Sequence, residues 1–400
     1  MAFAGWDWAT TTHDFTVIDD AGSRIERAAI PHTEDGITRA LARLARHGDP
    51  AQLPVAIETT RGLVVDRLLA AGHPVIPIHP NAFHAARPRW GAARAKNDPG
   101  DSFKLADYAR TDHHRLPVLT PTLPQTLELQ ALTRQRGDHL EIRIAAVNQL
   151  AALLDEHWPG GKTVFAQLHS MIALEFLDRY PTPQAAANLT AARLEAFCRR
   201  RHYSGRRTGV ELLARLRSAP TAASRLGEPV LAQLIAAQVA VVRSIQASLD
   251  AVDAVITDTV AAHPYARLLA DLPRIGTLNL AQIIGEVGPI LERATSFDQL
   301  AAETGIAPVT RASGKTCTVA FRHATNRRAR QALVTWIDNS RRAAPWAEQR
   351  YTAARARGQR HPHAIRTLGR AWLRVLWACW RTKTAYNPAA HGTAGQPIAA

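Results

Sequence analysis

The first 116 residues alternate short apolar segments with amphipathic ones. FAGWDWAT, DFTVID and RIERAAI follow one another, have the length of strands, and are separated by polar and turn residues. The amphipathic segment TEDGITRALARLARHG, the apolar LPVAIET, the helical GLVVDRLLAAG and the apolar HPVIPIH come next. Three strands that can form a meander, followed by alternating helices and strands, predict an α/β domain whose parallel crossovers cover the sheet with helices.

Beyond residue 124 the apolar residues recur every three or four positions, which is the helical period. After the Pro-rich connection RLPVLTPTLPQ, two long segments carry this spacing: TLELQALTRQRGDHLEIRIAAVNQLAALLDEHW and PVLAQLIAAQVAVVRSIQASLDAVDAVITDTVAAH. They predict an antiparallel helical hairpin or coiled-coil arm. The basic turn CRRRHYSGRRTG between them is either a contact for a nucleic-acid backbone or a solvated loop.

These changes of pattern predict four segments. We expect an α/β domain at residues 1–122, a helical arm at 123–262, a mainly helical domain at 263–386 and a disordered tail at 387–400. In the third segment, LLADLPRIGTLNLAQIIGEVG places a turn with Gly276 between two helical stretches. This is the pattern of a helix-hairpin-helix that contacts backbone phosphate, although any helical hairpin can carry a glycine turn.

Charge distinguishes the end of the chain from the rest. Of the 49 Lys and Arg residues, 17 lie from Gly305 onward, together with only two acids, Asp338 and Glu348. The whole formal excess of +15 therefore belongs to the last quarter, because the first 304 residues hold 32 basic and 32 acidic residues. Such a block is typical of phosphate-backbone binding, and interleaved tryptophans favour an ordered domain over a solvated tail.

Other classes of protein fit the sequence poorly. The three cysteines are far apart, which predicts reduced, buried thiols and no zinc site. The N-terminus lacks the pattern of a signal peptide, and no uncharged apolar run reaches the ~18 residues of a membrane span. Gly-Lys-Thr at 314–316 lacks the glycine that a phosphate-binding loop needs at position 309. We expect a soluble, cytoplasmic protein without membrane contact.

Four acids stand out in the first segment. Asp98 and Asp101, in AKNDPGDS, either cap a helix whose first residue is Pro99 or contribute to a metal site. Asp7 lies in the first strand between tryptophans, and Glu58 ends the strand PVAIE. A local ion pair or a helix cap would explain either one alone. Together the four could hold two divalent cations, which need several hard oxygen ligands and favour phosphate binding.

The pattern resembles the insertion sequence 110 family of DEDD, RuvC-like transposases, which are guided by a bridge RNA. GWDWA, AIETTRG and KNDPGD match the family's acids at Asp7, Glu58, Asp98 and Asp101, although Pro99-Gly100 is an unusual interruption. The resemblance covers about residues 1–120 and 265–345 and is fairly specific in combination. It implies an RNase H-like (RuvC-like) first domain. The strand and helix pattern also predicts the order of elements found in such a domain.

Ser313 matches the family's serine that attacks DNA, in LPRIGTLNLAQIIGEVG, FDQLAAETGIAPVTRASGKT and RHATNRRARQALV. Without the resemblance, Ser-Gly is an ordinary turn. The family implies a covalent phosphoserine, strand exchange and a site built from two protomers. Four nearby cations are candidate phosphate contacts or simply part of the basic surface: Arg311, Lys315, Arg327 and Arg328.

We therefore predict a DNA transposase that uses two Mg2+ ions, for which Mn2+ is expected to substitute. Its expected partners are donor and target DNA, a structured noncoding guide RNA, and further copies of the chain in a dimer or a dimer of dimers. The alternative enzyme is a hydrolytic Holliday-junction or RNase H-like nuclease in which Ser313 is structural. The non-enzymatic alternative is a nucleic-acid-binding scaffold or a decayed element, against which the intact acids argue.

Overall fold

The computed structural model describes residues 1–91, 98–314 and 316–391. The chain divides into two compact units, Met1–Leu123 and Pro124–Ala400. The second unit contains both the expected arm and the expected basic domain. Of the expected tail, Pro388–His391 forms a 3-10 turn, and residues 392–400 lie outside the description.

The first unit is built on a five-stranded sheet in the order β3-β2-β1-β4-β5. β1 and β2, and β2 and β3, pair antiparallel, whereas β1, β4 and β5 are parallel. This is the meander followed by crossovers that the hydrophobic pattern predicts. The strands are β1 (Phe3–Asp7), β2 (Thr12–Ile18), β3 (Arg24–Pro31), β4 (Val55–Ile57) and β5 (Val75–Pro77).

Helices cover both faces of this sheet, as its parallel strands require. They are α1 (Glu34–Leu44), α2 (Leu63–Ala70), α3 (Pro80–Ala86) and α4 (Asp98–Asp112). α1 and α2 pack with Trp6, Phe15 and Ile57 on one face, and α3 and α4 pack with Phe3 and Ile76 on the other. Helix α3 is not predicted by the hydrophobic pattern; it begins at Pro80, and the side chain of His79 accepts a hydrogen bond as its cap.

Two long antiparallel helices organise the second unit, α5 (Pro124–His157) and α10 (Glu228–Ala262). Arg136 on α5 pairs with Asp253 on α10, and Arg143 bonds Gln246 at 2.8 Å, so the helices run in opposite directions. Helices between them pack around Phe176 and build a core on this hairpin. They are α6 (Pro159–Thr163), α7 (Met171–Arg179), α8 (Ala191–Arg200) and α9 (Gly209–Ser218).

The basic end of the chain folds into a second core in this unit. Trp336, Trp372 and Trp380 are buried in it, and Trp346 and Trp377 pack against it partly buried, which explains why a strongly cationic segment is ordered. The helices are α11 (Ala266–Leu269), α12 (Thr277–Gln282), α13 (Gly288–Arg293), α14 (Phe297–Glu303), α15 (Arg327–Ser340), α16 (Pro345–Ala356) and α17 (His361–Thr382). A β-hairpin, β6 (Val309–Ser313) and β7 (Thr316–Ala320), interrupts them.

The prediction of free, buried thiols is confirmed for the two cysteines whose side chains the structure describes. Cys198 and Cys379 are free and buried, and burial raises the pKa of the Cys198 thiol to about 11. The side chain of Cys317 lies outside the description.

Among the described helices, α10 is long and apolar enough to cross a membrane when judged by length and composition alone.

Candidate functional site

The first two acids lie at one edge of the five-stranded sheet. Trp6 of β1 pairs with Ile57 of the parallel β4, so Asp7 ends β1 and Glu58 follows β4 at the same edge. Functional residues of open α/β sheets collect at these carboxyl ends. Because Trp6 packs on the α1 and α2 side, strand alternation directs Asp7 to the face that α4 covers.

Helix α4 crosses this face antiparallel to β1. The ring of Phe3, at the start of β1, is 5.2 Å from the ring of His113, just beyond the end of the helix. Gly5, in the middle of β1, lies beneath the helix backbone, and a Cβ there would be 2.0 Å from the carbonyl oxygen of Ser102. The first turn of α4 therefore lies toward the carboxyl end of β1.

The structure thus brings the acids of α4 to the same end of the domain as Asp7. Asp98 is the first residue of the helix, and its side chain lies outside the described residues. Asp101 is 3% exposed, and its two oxygens accept hydrogen bonds from Arg87 at 2.6 Å and Lys104 at 3.0 Å. A carboxylate this deeply buried requires compensating charge, which these two cations supply.

Another carboxylate, Asp14, belongs to this neighbourhood. Asp7 pairs directly with Asp14 of β2, and opposed residues of an antiparallel pair project from the same face. Asp14 is 8% exposed and accepts hydrogen bonds from Arg27 on β3 at 3.0 Å and 3.3 Å. The Arg27 guanidinium therefore offsets part of the repulsion between these two neighbouring carboxylates.

Buried His13 fixes the turn that follows Asp7. The amide of Ala9 donates to Nδ1 of His13 at 3.2 Å, which leaves the proton on Nε2 to be donated to Nδ1 of His32 at 2.8 Å. Burial, and secondarily the nearby His32, lower the pKa of His13 below its usual value. A neutral imidazole therefore anchors the backbone beside the acid.

The donor chemistry of this edge suits a divalent cation, because carboxylate oxygens are the ligands that Mg2+ prefers. Within residues 1–91, 98–314 and 316–391, no three acid, histidine or cysteine side chains are arranged as a metal cage. That search does not include the side chain of Asp98, and Asp101 is occupied by Arg87 and Lys104. A cation bound to Asp101 would replace the charge that those two side chains supply.

Ser313 lies in the second unit, at the tip of the β6–β7 hairpin. It pairs with Thr316, so a two-residue connection closes the hairpin, and Gly314 adopts a φ of 54°. Left-handed residues are what tight hairpin turns require, which explains the glycine. The serine is exposed, so its hydroxyl is accessible at the turn.

The four cations predicted near the serine divide into two pairs. The side chain of Arg311 and all of Lys315 lie outside the described residues. Arg327 and Arg328 open α15 and are exposed, and Arg328 pairs with Asp138 at 3.2 Å. Both partners of that pair are more than half exposed, so the pair is weak and easily exchanged.

A buried carboxylate that the sequence did not reveal positions the start of α15. Glu286, 2% exposed, lies in the π-helical segment Ile283–Val287 and accepts two hydrogen bonds from Arg134 of α5, at 2.6 Å and 3.1 Å. It also accepts one from Asn326 at 3.1 Å, and Asn326 caps α15. Single π-helical turns occur often at functional sites.

Gly276 precedes α12 as its N-cap with a φ of −84°, and no atom lies within 4 Å of a Cβ built there. The preceding helix, α11, is a single turn. This backbone is open to any residue, and the helix-hairpin-helix interpretation stays a prediction.

Two models of one transposase family match the two ends of the chain. The model for the DEDD transposase domain of IS110 elements matches residues 4–159 and contains all four predicted acids. The model described as transposase of the IS116/IS110/IS902 family matches residues 266–352 and contains Ser313. The first match implies an RNase H-like fold, with which the observed strand order agrees, and it points to divalent metal use.

Curated relatives match along nearly the whole chain. A Streptomyces coelicolor protein that carries the name of a mini-circle transposase for IS117 is 32% identical, over 96% of this chain and 95% of its own. The 42 kDa protein of insertion element IS900 from Mycobacterium paratuberculosis is 27% identical, over 97% of both chains. The 43.6 kDa protein of IS110 from Streptomyces coelicolor is 27% identical, over 96% and 95%. This chain belongs to the IS110 family of transposases, and its activity is DNA transposition.

Proposed function

We propose that this transposase cuts DNA by attack of the Ser313 hydroxyl on a backbone phosphate. The serine oxygen bonds to phosphorus as the bridging bond to one sugar oxygen breaks. The serine proton is lost to solvent and the released sugar oxygen is protonated. Because the phosphodiester is retained as phosphoserine, a second DNA hydroxyl can attack it and rejoin a strand, which is strand exchange.

The position of Ser313 carries this proposal. It stands exposed at the tip of a hairpin inside the segment that matches the transposase family model. An exposed hydroxyl at a hairpin tip can approach a phosphate of the DNA backbone. The hairpin belongs to the part of the chain that holds the whole excess positive charge, which would hold the phosphate backbone near the hydroxyl.

We further propose that Asp7, Glu58, Asp98 and Asp101 bind two Mg2+ ions, with Mn2+ as a substitute. Mg2+, when bound, stabilises the developing charge on attacking and leaving oxygens. The convergence of the ends of β1 and β4 with the first turn of α4 supports this set. Asp101 has to exchange Arg87 and Lys104 for the cation, so metal binding is expected to free two positive side chains for phosphate.

Guidance by a structured noncoding RNA is the next part of the proposal. Base pairing between that RNA and donor and target DNA would choose the sites, and the protein would bind shape and backbone. Exposed arginines in the loop after α8, including Arg206 and Arg207, offer contacts for an RNA backbone. Cleavage that requires an RNA transcribed from the element's noncoding flank is the corresponding test.

A homo-oligomer, either a dimer or a dimer of dimers, is supported by a second apolar face on α10. Val230, Leu234, Val241 and Val255 are 53%, 43%, 47% and 49% exposed. At about 100° per residue they fall within about 60° of one another around the helix, apart from the face packed on α5. This stripe also accounts for the apolar composition of α10. A cytoplasmic location without membrane contact stays a prediction.

The test of the serine uses end-labelled element DNA, the noncoding RNA and Mg2+, with products separated under denaturing conditions. We expect a covalent protein–DNA adduct with the wild type and none with Ser313→Ala. Thr310→Ala, which removes an exposed hydroxyl from the same hairpin, is the matched control and should form the adduct. Asp7→Asn should abolish cleavage while leaving DNA binding intact.

Hydrolysis by an RNase H-like or junction nuclease predicts different results. Ser313→Ala would then cut at an undiminished rate, and no adduct would form with any variant. Full recombination by Asp7→Asn in Mg2+ would instead refute the assignment of the acids.

A further inference from the structure

A cleft lies between the base of the β6–β7 hairpin and α17. Its volume is about 290 Å³. A second, more open cavity of about 540 Å³ continues from it past Arg357 and Arg360. Val319, Phe321, Arg366 and Arg370 are among the residues that line the first cleft.

Exposed apolar surface and guanidinium groups meet in this cleft. Phe321 is 39% exposed and Val319 is 62% exposed, although both are strongly apolar. The guanidinium carbon of Arg330 lies 4.5 Å from the centre of the Phe321 ring, and that of Arg366 lies 5.1 Å from it. An exposed aromatic ring beside guanidinium groups is the chemistry with which proteins bind unpaired nucleotides.

The positive charge of the cleft is only weakly compensated among the described side chains. Burial, and then the charge of Arg330, lower the pKa of Arg366, so these two guanidinium groups oppose each other. Arg370 contacts Asp298 at 3.5 Å, but Asp298 is 89% exposed and such a pair is worth little. An anion placed between these arginines would relieve their repulsion.

The cleft lies close enough to Ser313 for a DNA strand held at this serine to reach it. Val319 pairs with Thr310 and Ser313 pairs with Thr316, so three residues of the β-hairpin separate the cleft from the tip. At about 3.4 Å per residue this is about 10 Å. Successive nucleotides of one B-DNA strand advance about 3.4 Å along the axis, so about three nucleotides span the distance.

We propose that this cleft holds one unpaired nucleotide of the DNA substrate, close to the phosphate that Ser313 attacks. Arg366 and Arg370 bind its phosphate, and its base packs on Phe321 and Val319. The volume is at the lower end of the ~300–1,000 Å³ of small-ligand sites, which suits a base outside the stack better than a duplex. The inference rests on the proposed role of Ser313 in attacking DNA, and for that reason the bound nucleotide is assigned to DNA.

The test is an anisotropy titration of the full-length protein with a fluorescent oligothymidylate of about eight nucleotides. Phe321→Ala and Arg366→Gln should each weaken binding about 10-fold. Phe321→Tyr, which keeps the ring, and Arg350→Gln, which removes an exposed charge elsewhere in the same unit, should stay within about twofold of the wild type. Ser313→Ala should bind like the wild type.

Wild-type affinity in Phe321→Ala or Arg366→Gln would overturn the inference, whatever the adduct assay shows. An equal loss of affinity for a duplex of the same length would refute binding of an unpaired nucleotide. A larger loss of affinity for oligouridylate would show that the cleft is an RNA site. Absence of the adduct together with the expected titration would overturn the role of Ser313 alone. The two proposals therefore fail by different measurements.

Discussion

Gly5 of β1 lies directly beneath Ser102 of α4, so close that a Cβ on Gly5 would be 2.0 Å from the carbonyl oxygen of Ser102. Only a residue without a side chain allows the helix to lie this deep on the sheet. That depth brings the first turn of α4, with Asp98 and Asp101, toward the end of the sheet where Asp7 ends β1 and Glu58 follows β4. The geometry proposed for the acids therefore depends on a glycine.

Gly5→Ala is expected to displace α4 and to destabilise the first unit by about 3 kcal/mol or more, because the methyl group meets backbone on the helix. Hydrogen exchange measured by mass spectrometry should rise in peptides from β1 and α4. Gly276→Ala is the control, since open space surrounds its Cβ position. Unchanged exchange in Gly5→Ala would contradict the packing described here.

Acid should destabilise the protein through His13. The folded state holds this ring neutral with a lowered pKa, whereas the unfolded chain takes up a proton near pH 6.5. The stabilisation is complete above about pH 6.5 and declines as the pH falls through the folded pKa. The fall in Tm between pH 7.5 and 5.5 should be smaller in His13→Gln than in the wild type. Exposed His114→Gln should keep the wild-type dependence, and an equal dependence in all three proteins would refute the role of His13.

Glu286 and Arg134 should behave as a buried ion pair. Glu286→Gln leaves the guanidinium of Arg134, whose side chain is 22% exposed, without its charge partner, and should cost about 3 kcal/mol in the free energy of unfolding. In a double-mutant cycle, the variant Arg134→Met/Glu286→Leu should lose less stability than the sum of the losses in Arg134→Met and Glu286→Leu. Urea denaturation of the four proteins measures this coupling, and strict additivity would show that the pair contributes nothing specific.

The apolar stripe of α10 predicts the assembly. Val241→Glu places a charge in the centre of the stripe and should lower the mass of the particle in light scattering after size exclusion. Ala247→Glu adds the same charge about 120° away around the helix and should keep the wild-type mass. Dissociation by both variants, or by neither, would exclude this stripe as the interface.

The sheet of the first unit was predictable because its strands are short and carry apolar residues, and turns or amphipathic helices separate them. Asp7 and Glu58 could be placed at strand ends for the same reason. Helix α3 was missed because seven residues are too few to show a helical period, although Pro80 after His79 is a start signal. The sequence could not show that Arg87 and Asp14 lie beside the predicted acids. Both residues come close to those acids only when the elements of the unit pack together.

The β6–β7 hairpin was not predicted from the sequence, which indicated a mainly helical domain at residues 263–386. Its strands carry small and polar residues, and Gly-Lys is a weaker hairpin signal than Asn-Gly. The exposed position of Ser313 at the hairpin tip is therefore known only from the structure, whereas the candidate role of Ser313 was inferred from the family resemblance. Glu286 gave no sequence signal, because an acid among Ile283, Ile284 and Val287 is informative only once Arg134 is seen beside it.

Peptide mapping of the trapped protein–DNA adduct tests the central claim most directly. After nuclease and protease digestion, mass spectrometry should find a nucleotide remnant on Ser313, in the peptide that spans the hairpin tip. Cleavage in water enriched in oxygen-18 should leave the phosphate unlabelled while the adduct persists. A remnant on another residue, or oxygen-18 incorporated at the cut with Ser313 unmodified, would contradict the account.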